Sequence, residues 1–325
     1  MGLSNAELGL ILVTVAGSAT GLGAAVVFSE RLVQLASKPF LAGALGVSTG
    51  VMLYVSFVEI FVKSLDGFHS SSAFGESDAY LAATAALFAG MAFMGALDTL
   101  VHWLDPNRTA HHASDPRKHM ADPVPDVAPC CALDDATFEE IERRGAVLAA
   151  GAPAAADDCE AEAPAKLDPT KDKRLESMGV MTALAIGIHN FPEGLATFVA
   201  TLDDPAVGAS LAIAIAIHNI PEGLCVAIPI YFATGDRWKA FRWACLSGVS
   251  EIVGALLGWA ILKDHFDNML YGVVFGLVGG MMIMICLNEL IPTAHRYDPQ
   301  DKVVTKSIVA GMAVMAASLC LFIYG

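Results

Sequence analysis

Charge is what this 325-residue chain has least of: Asp, Glu, Lys and Arg make up 16% of it, while 55% is hydrophobic. So few charges cannot clothe a soluble domain of this size, and the balance points to a bilayer. Basic residues are scarcer than acidic ones, 19 against 34, which leaves a net charge of −15. That argues against nucleic acid as a partner, because neutralising phosphates takes basic patches. No Lys or Arg precedes Arg31. The first apolar run therefore lacks the positive stretch of a signal peptide and is expected to remain as a helix with its N-terminus outside. The seven cysteines imply no disulfide framework. Cys225, Cys245, Cys286 and Cys320 fall in apolar runs, and Cys130, Cys131 and Cys159 in a loop expected to be cytoplasmic. A His-Glu-x-x-His zinc-hydrolase motif is missing too, which argues against an intramembrane metalloenzyme and for a protein that is not an enzyme.

What the chain has in abundance is apolar runs. A helix needs about 20 apolar residues to cross a bilayer core. Eight stretches qualify, at Ala6 to Phe28, Phe40 to Val62, Ala79 to Leu104, Ser177 to Thr201, Val207 to Phe232, Ala240 to Leu262, Met269 to Thr293 and Val304 to Tyr324. The expected fold is an all-α membrane protein of eight transmembrane helices. With the N-terminus outside, 17 of the 19 basic residues fall in inside loops, and only Lys63 and Lys263 fall outside. That agreement with the positive-inside rule puts both termini on the extracytoplasmic face. Three parts follow: 1–104 with helices one to three, 105–175 as a largely disordered cytoplasmic loop, and 176–325 with helices four to eight. The loop is rich in Ala, Pro, Asp and Glu, with one short helix expected from Asp134. Outward loops carry Glu76, Asp78, Asp203, Asp204, Asp264 and Asp267, which either concentrate cations or are simply solvated.

One repeat stands out. "HNFPEG" begins at His189 and "HNIPEG" at His218, near the midpoints of two consecutive helices that must run in opposite directions. This is inverted-repeat character, which places transporter sites at a repeat interface near the midplane. His189, Asn190 and Glu193 share one helix face by their three- and four-residue spacing, as do His218, Asn219 and Glu222. Pro192 and Pro221 open the helix ladder beside them. Glu251, in "LSGVSEIVGALLG" of the sixth helix, lies on a small-residue stripe suited to close packing and is the expected bridging carboxylate. An ionised carboxylate at mid-membrane costs at least ~2.5 kcal/mol, so something must compensate for three. Two imidazoles, two carboxamides and three carboxylates form a mixed nitrogen and oxygen set that suits Zn²⁺, Fe²⁺, Mn²⁺, Co²⁺, Ni²⁺ or Cd²⁺. One Pro-Glu-Gly motif alone reads equally as a kinked helix held by a polar network; two copies plus Glu251 favour ligands.

These residues, with "GVMLYVSFVEI" of the second helix and "NELIP" of the seventh, make the chain similar to the ZIP family of divalent-metal transporters, in its prokaryotic form. The resemblance implies a ZIP-type bundle, a homodimer in the bacterial inner membrane, and import of metal into the cytosol. It also implies that helices one, four, five and six move against two, three, seven and eight. By position, a first metal site falls on His189, Glu193, His218 and Glu222. A second falls on Asn190, Asn219 and Glu251, sharing Glu193 and Glu222. Some relatives carry Gln and Asp where this chain has His218 and Asn219, so the second position is the weaker one here. No cofactor beyond the transported metal is implied.

Entry and exit follow from the expected topology. Glu59, near the outer end of the second helix, either collects incoming ions or is a solvated interfacial carboxylate. Towards the cytoplasm lie Asp98 and His102 on the third helix and Asn288, Glu289 and His295 on the seventh. They form either an exit relay or structural hydrogen bonds between helices. His111, His112 and His119, with Cys130, Cys131 and Cys159, match no defined zinc spacing.

Overall fold

The computed structural model describes residues 3–35, 37–71, 73–104, 169–262 and 267–324. The helix expected from Asp134 and the loop histidines and cysteines lie outside the described residues.

Among those residues there is no strand. The long helices are α1 (Asn5–Phe28), α2 (Lys38–Ser70), α3 (Glu76–Leu104), α4 (Pro169–Asp203), α5 (Pro205–Thr234), α6 (Arg237–Leu262), α7 (Asn268–Tyr297) and α8 (Val304–Tyr324). Six of them, α1, α2, α3, α5, α6 and α7, are long and apolar enough to cross a membrane. The apolar part of α8, Val304–Cys320, is shorter. The protein is an all-helical integral membrane protein. Helix α4 begins at Pro169, ahead of the apolar run, because Lys, Glu and Arg are good helix formers and proline is at home in a first turn.

Local chemistry sets the ends and bends. Asp204 caps α5 by accepting from the Ala206 amide at 2.8 Å, and Asp267 caps α7 by accepting from Leu270 at 2.7 Å. Two of the acids expected in outward loops thus hold helix ends. Gly235, at φ 67°, ends α5 in the left-handed conformation that glycine adopts without penalty. Both α2 and α7 carry a π-helical turn, at Val55–Ile60 and Cys286–Leu290. Such a turn rotates the following side chains out of α-register.

The helices sort into two bundles. In one, α4 packs on α6 and α5, and α1 packs on all three; in the other, α2 packs on α8 and α7, and α3 on α7. Within each bundle backbones meet at glycines. The Glu251 carbonyl occupies the space a side chain at Gly194 would need, and the Thr20 carbonyl does the same at Gly223. Gly23 is pressed by the Ile220 carbonyl and Gly254 by the Phe191 carbonyl. In the second bundle Gly50 meets Ile308, Gly311 meets Val47, Gly280 meets Leu87 and Gly90 meets Leu277.

These contacts come in matched pairs, and the match defines a larger repeat than the one in α4 and α5. Helix α1 relates to α6 as α2 does to α7 and α3 to α8. The letters agree once aligned: "AGMAFM" from Ala89 answers "AGMAVM" from Ala310. The contact between bundles has a different character. Leu45 and Met52 of α2 and Phe275 and Met282 of α7 join Val199 of α4 and Ile215 of α5 in one buried apolar cluster.

Candidate metal centre

The doubled motif brings its polar groups together at the heart of the first bundle. His189, Asn190, Glu193, His218, Asn219, Glu222 and Glu251 are all buried, none more than 1% exposed. They are cross-paired between helices. His218 Nε2 lies 3.1 Å from Glu193 Oε1, while His189 Nε2 lies 3.4 Å from Glu222 Oε1, close enough for an ion pair but without hydrogen-bond alignment. The other nitrogen of His218, Nδ1, sits 3.2 Å from the Ala214 carbonyl. That contact leaves Nε2 as the nitrogen aimed into the site.

The asparagines fasten the carboxylates to the helices. Asn219 Nδ2 donates to Glu251 Oε1 at 2.5 Å and to the Ala16 carbonyl at 3.0 Å. Asn190, with its amide turned to suit its neighbours, donates to Glu222 Oε2 at 3.2 Å and to the Ile186 carbonyl at 3.0 Å. Ser48 of the second bundle reaches across, its Oγ 3.5 Å from the His218 carbonyl. The close approach at Gly194 sets Glu251 against α4, and its carboxyl lies over Gly17 of α1.

Lone pairs are left over. Glu193 Oε2, Glu251 Oε2 and Asn219 Oδ1 are buried without a hydrogen-bond partner. Buried polar atoms are seldom left so, and three such oxygens beside two imidazoles suit a cation. Among the described residues no three His, Cys, Asp or Glu side chains already converge on one point. The histidines and glutamates of the doubled motif instead face one another in pairs.

The remaining candidates are placed as follows. Glu59, in the α2 π-turn, is half-buried, within electrostatic reach of Lys63, Asp204 and Asp66. Sequence reasoning missed its neighbour: Tyr271 of α7 lies within electrostatic reach of Asp203 at the end of α4 and of Glu59, so groups of both bundles gather at that face. Asp98 is partly exposed on α3, and the side chain of His102 lies outside the described residues. The α7 group separates. Asn288 is exposed and Glu289 is buried, close enough to interact electrostatically with His189. His295 lies near the end of α7, with Nδ1 at 3.0 Å from the Ile291 carbonyl and Nε2 at 3.8 Å from Asp301. Thr20 was also missed; its buried hydroxyl has no partner beside the site.

Comparison with known proteins agrees with this architecture. Residues 4–319 match the family described as "ZIP Zinc transporter". A protein of Oceanobacillus iheyensis named "Zinc transporter ZupT" is 37% identical over 98% of this chain and 99% of its own. Proteins of the same name from Nitratidesulfovibrio vulgaris and Corynebacterium efficiens are 41% and 39% identical, covering 98% and 99% of this chain and 98% and 100% of theirs.

Proposed function

Since the chain belongs to the ZIP zinc transporter family, a family of transporters rather than enzymes, we propose that it imports divalent metal cations through the centre between α4, α5 and α6. The observation that carries this reading is the cross-paired set of His189, Glu193, His218 and Glu222, buried in a membrane-spanning bundle with unused carboxylate oxygens. These four are the first metal position. Asn190, Asn219 and Glu251, with the shared Glu193 and Glu222, are the second, and it is the weaker because it has two neutral amides. Zinc is the cargo best supported by the relatives' names, and the nitrogen and oxygen donors admit Fe²⁺, Mn²⁺, Co²⁺, Ni²⁺ and Cd²⁺ as well.

A cation entering the centre replaces the protons of the imidazolium groups as counter-charge to the carboxylates; those protons leave to water, and the freed imidazole nitrogens join the carboxylates as ligands. Glu193 and Glu222 each turn from a histidine on the other helix to the ion, so the donors need only small side-chain rotations. Release asks the reverse: protons return to the imidazoles, each of which again faces a carboxylate, so the ion leaves without stranding a buried charge. Access alternates as the bundle of α1, α4, α5 and α6 moves against that of α2, α3, α7 and α8. The glycine interlocks within each bundle and the apolar side-chain contact between them support such movement.

The test is zinc flux into proteoliposomes. Uptake should saturate with zinc concentration, and Glu193→Ala and Glu222→Ala should each reduce it at least ~100-fold, the loss of an essential charged ligand being worth about 3 kcal/mol or more. Uptake at the wild-type rate with both glutamates replaced would sink the assignment.

A further inference from the structure

Thr20, like Thr197 and Thr293, has a buried hydroxyl without a partner, unlike most helical hydroxyls here; what sets it apart is where its acceptor has gone. In these helices Thr14, Thr49, Ser56, Thr84 and Thr201 each donate to the carbonyl four residues earlier, at 2.7 to 2.8 Å. Thr20 is fully buried and its Oγ1 has no partner. Its own acceptor, the Ala16 carbonyl, is taken by Asn219 Nδ2 at 3.0 Å.

The repeat explains why this position matters. Thr20 presses its carbonyl on Gly223, the residue after Glu222, just as Glu251 presses its carbonyl on Gly194, the residue after Glu193. Thr20 is thus the α1 counterpart of Glu251, set beside the α5 half of the site. Its hydroxyl packs against Gly248 of α6, one helical turn from Glu251.

We propose that Thr20 is a positioning residue of the metal site: its hydroxyl takes the Ala16 carbonyl when Asn219 turns its amide oxygen to the cation. This rests on the reading of Asn219 as a ligand. Asn219 Oδ1 has no partner, and an amide coordinates a metal through that oxygen. Turning Oδ1 inward draws Nδ2 off the Ala16 carbonyl. The Thr20 hydroxyl, with no partner while Asn219 holds that carbonyl, then gains the hydrogen bond its neighbours on other turns already make. The exchange keeps the Ala16 carbonyl paired when Asn219 Nδ2 leaves it and satisfies the Thr20 hydroxyl, which offsets part of the cost of freeing that amide and so favours loading relative to a chain without the hydroxyl.

Thr20→Val keeps the shape and removes the hydroxyl, so zinc half-saturation in proteoliposomes should rise about tenfold, the effect of one buried donor left unmade. The maximal rate should stay within about twofold, since nothing that touches the ion is altered. Zinc binding to the purified protein by equilibrium dialysis should weaken by the same factor, and Thr20→Ser should restore both. In an Asn219→Ala background, Thr20→Val should add nothing. Wild-type half-saturation in Thr20→Val, or an equal rise in both backgrounds, overturns the proposal and leaves Thr20 as packing. If Asn219→Ala itself binds and transports as wild type, the proposal falls together with the ligand reading of Asn219. Retained uptake in Glu193→Ala would mark failure of the whole site.

Discussion

A carboxylate buried at mid-membrane survives only with a partner, and each glutamate of the doubled motif finds one on the other helix. This makes a prediction about stability apart from transport. Removing one member of the His218–Glu193 pair strands the other, which costs about 3–5 kcal/mol, whereas removing both leaves only a cavity. In metal-free protein His218→Ala and Glu193→Ala should therefore each melt lower than the double variant. Additive losses, with the double variant the least stable, would show that the pair is no counter-charge. At this scale the centre was legible in the sequence because histidine and glutamate inside apolar runs have few other reasons to be there. Thr20 was not, since a helical threonine ordinarily satisfies itself on its own backbone. Its orphaned hydroxyl follows from where Asn219 lands, which is a tertiary fact. Asn288 and Glu289, grouped together on the sequence, part in the π-helical turn they share, one exposed and the other buried.

Among the elements, apolar length placed the helices, and their ends depended on caps that lie outside the apolar runs. The turn between α7 and α8 shows the cost of such detail. Asp298 Oδ2 accepts from the Val303 amide at 2.7 Å and from Val304 at 3.4 Å, which ties down the start of α8. The Val303 amide, chief among these donors, holds the Asp298 carboxyl below the usual carboxylate range. A carboxyl lowered on folding stabilises the fold above its unfolded value, near pH 4, and the contribution is lost as pH falls through the folded value. Hydrogen-exchange protection of the Val303 and Val304 amides should accordingly drop as pH falls from about 5 to 3, and Asp298→Asn should flatten that dependence. An unchanged profile in the variant would assign the effect to another group. The larger repeat of α1–α3 in α6–α8 escaped notice for a related reason. What its halves share is mainly a glycine on each helix that meets a neighbouring carbonyl, and a glycine's neighbour cannot be read along the chain.

For the molecule as a whole, the two bundles differ from their shared seam in what holds them. Backbone pressed into glycine resists sliding, because any shift drives a carbonyl into a neighbouring chain, while interdigitated Leu, Met and Phe side chains can repack. On the proposed movement of one bundle against the other, polar groups that meet across the seam have to part. Tyr271 on α7 and Asp203 on α4 face one another across the seam within electrostatic reach, where Glu59 and Asp66 also gather. If the bundles must part there to admit an ion, fixing these two positions together stops transport without touching a ligand. Joining Asp203→Cys to Tyr271→Cys with a short bis-thiol cross-linker cleaved by reductant should cut zinc uptake at least ~10-fold, a barrier increase of about 1.4 kcal/mol or more. Reductant should restore it, and each single-cysteine variant treated alike should transport normally. Zinc binding to the cross-linked protein, added before reconstitution, should persist, since the centre lies within one bundle. Normal uptake by a fully cross-linked double variant would mean that α4 and α7 never separate at this face, and that the ion is admitted by another route.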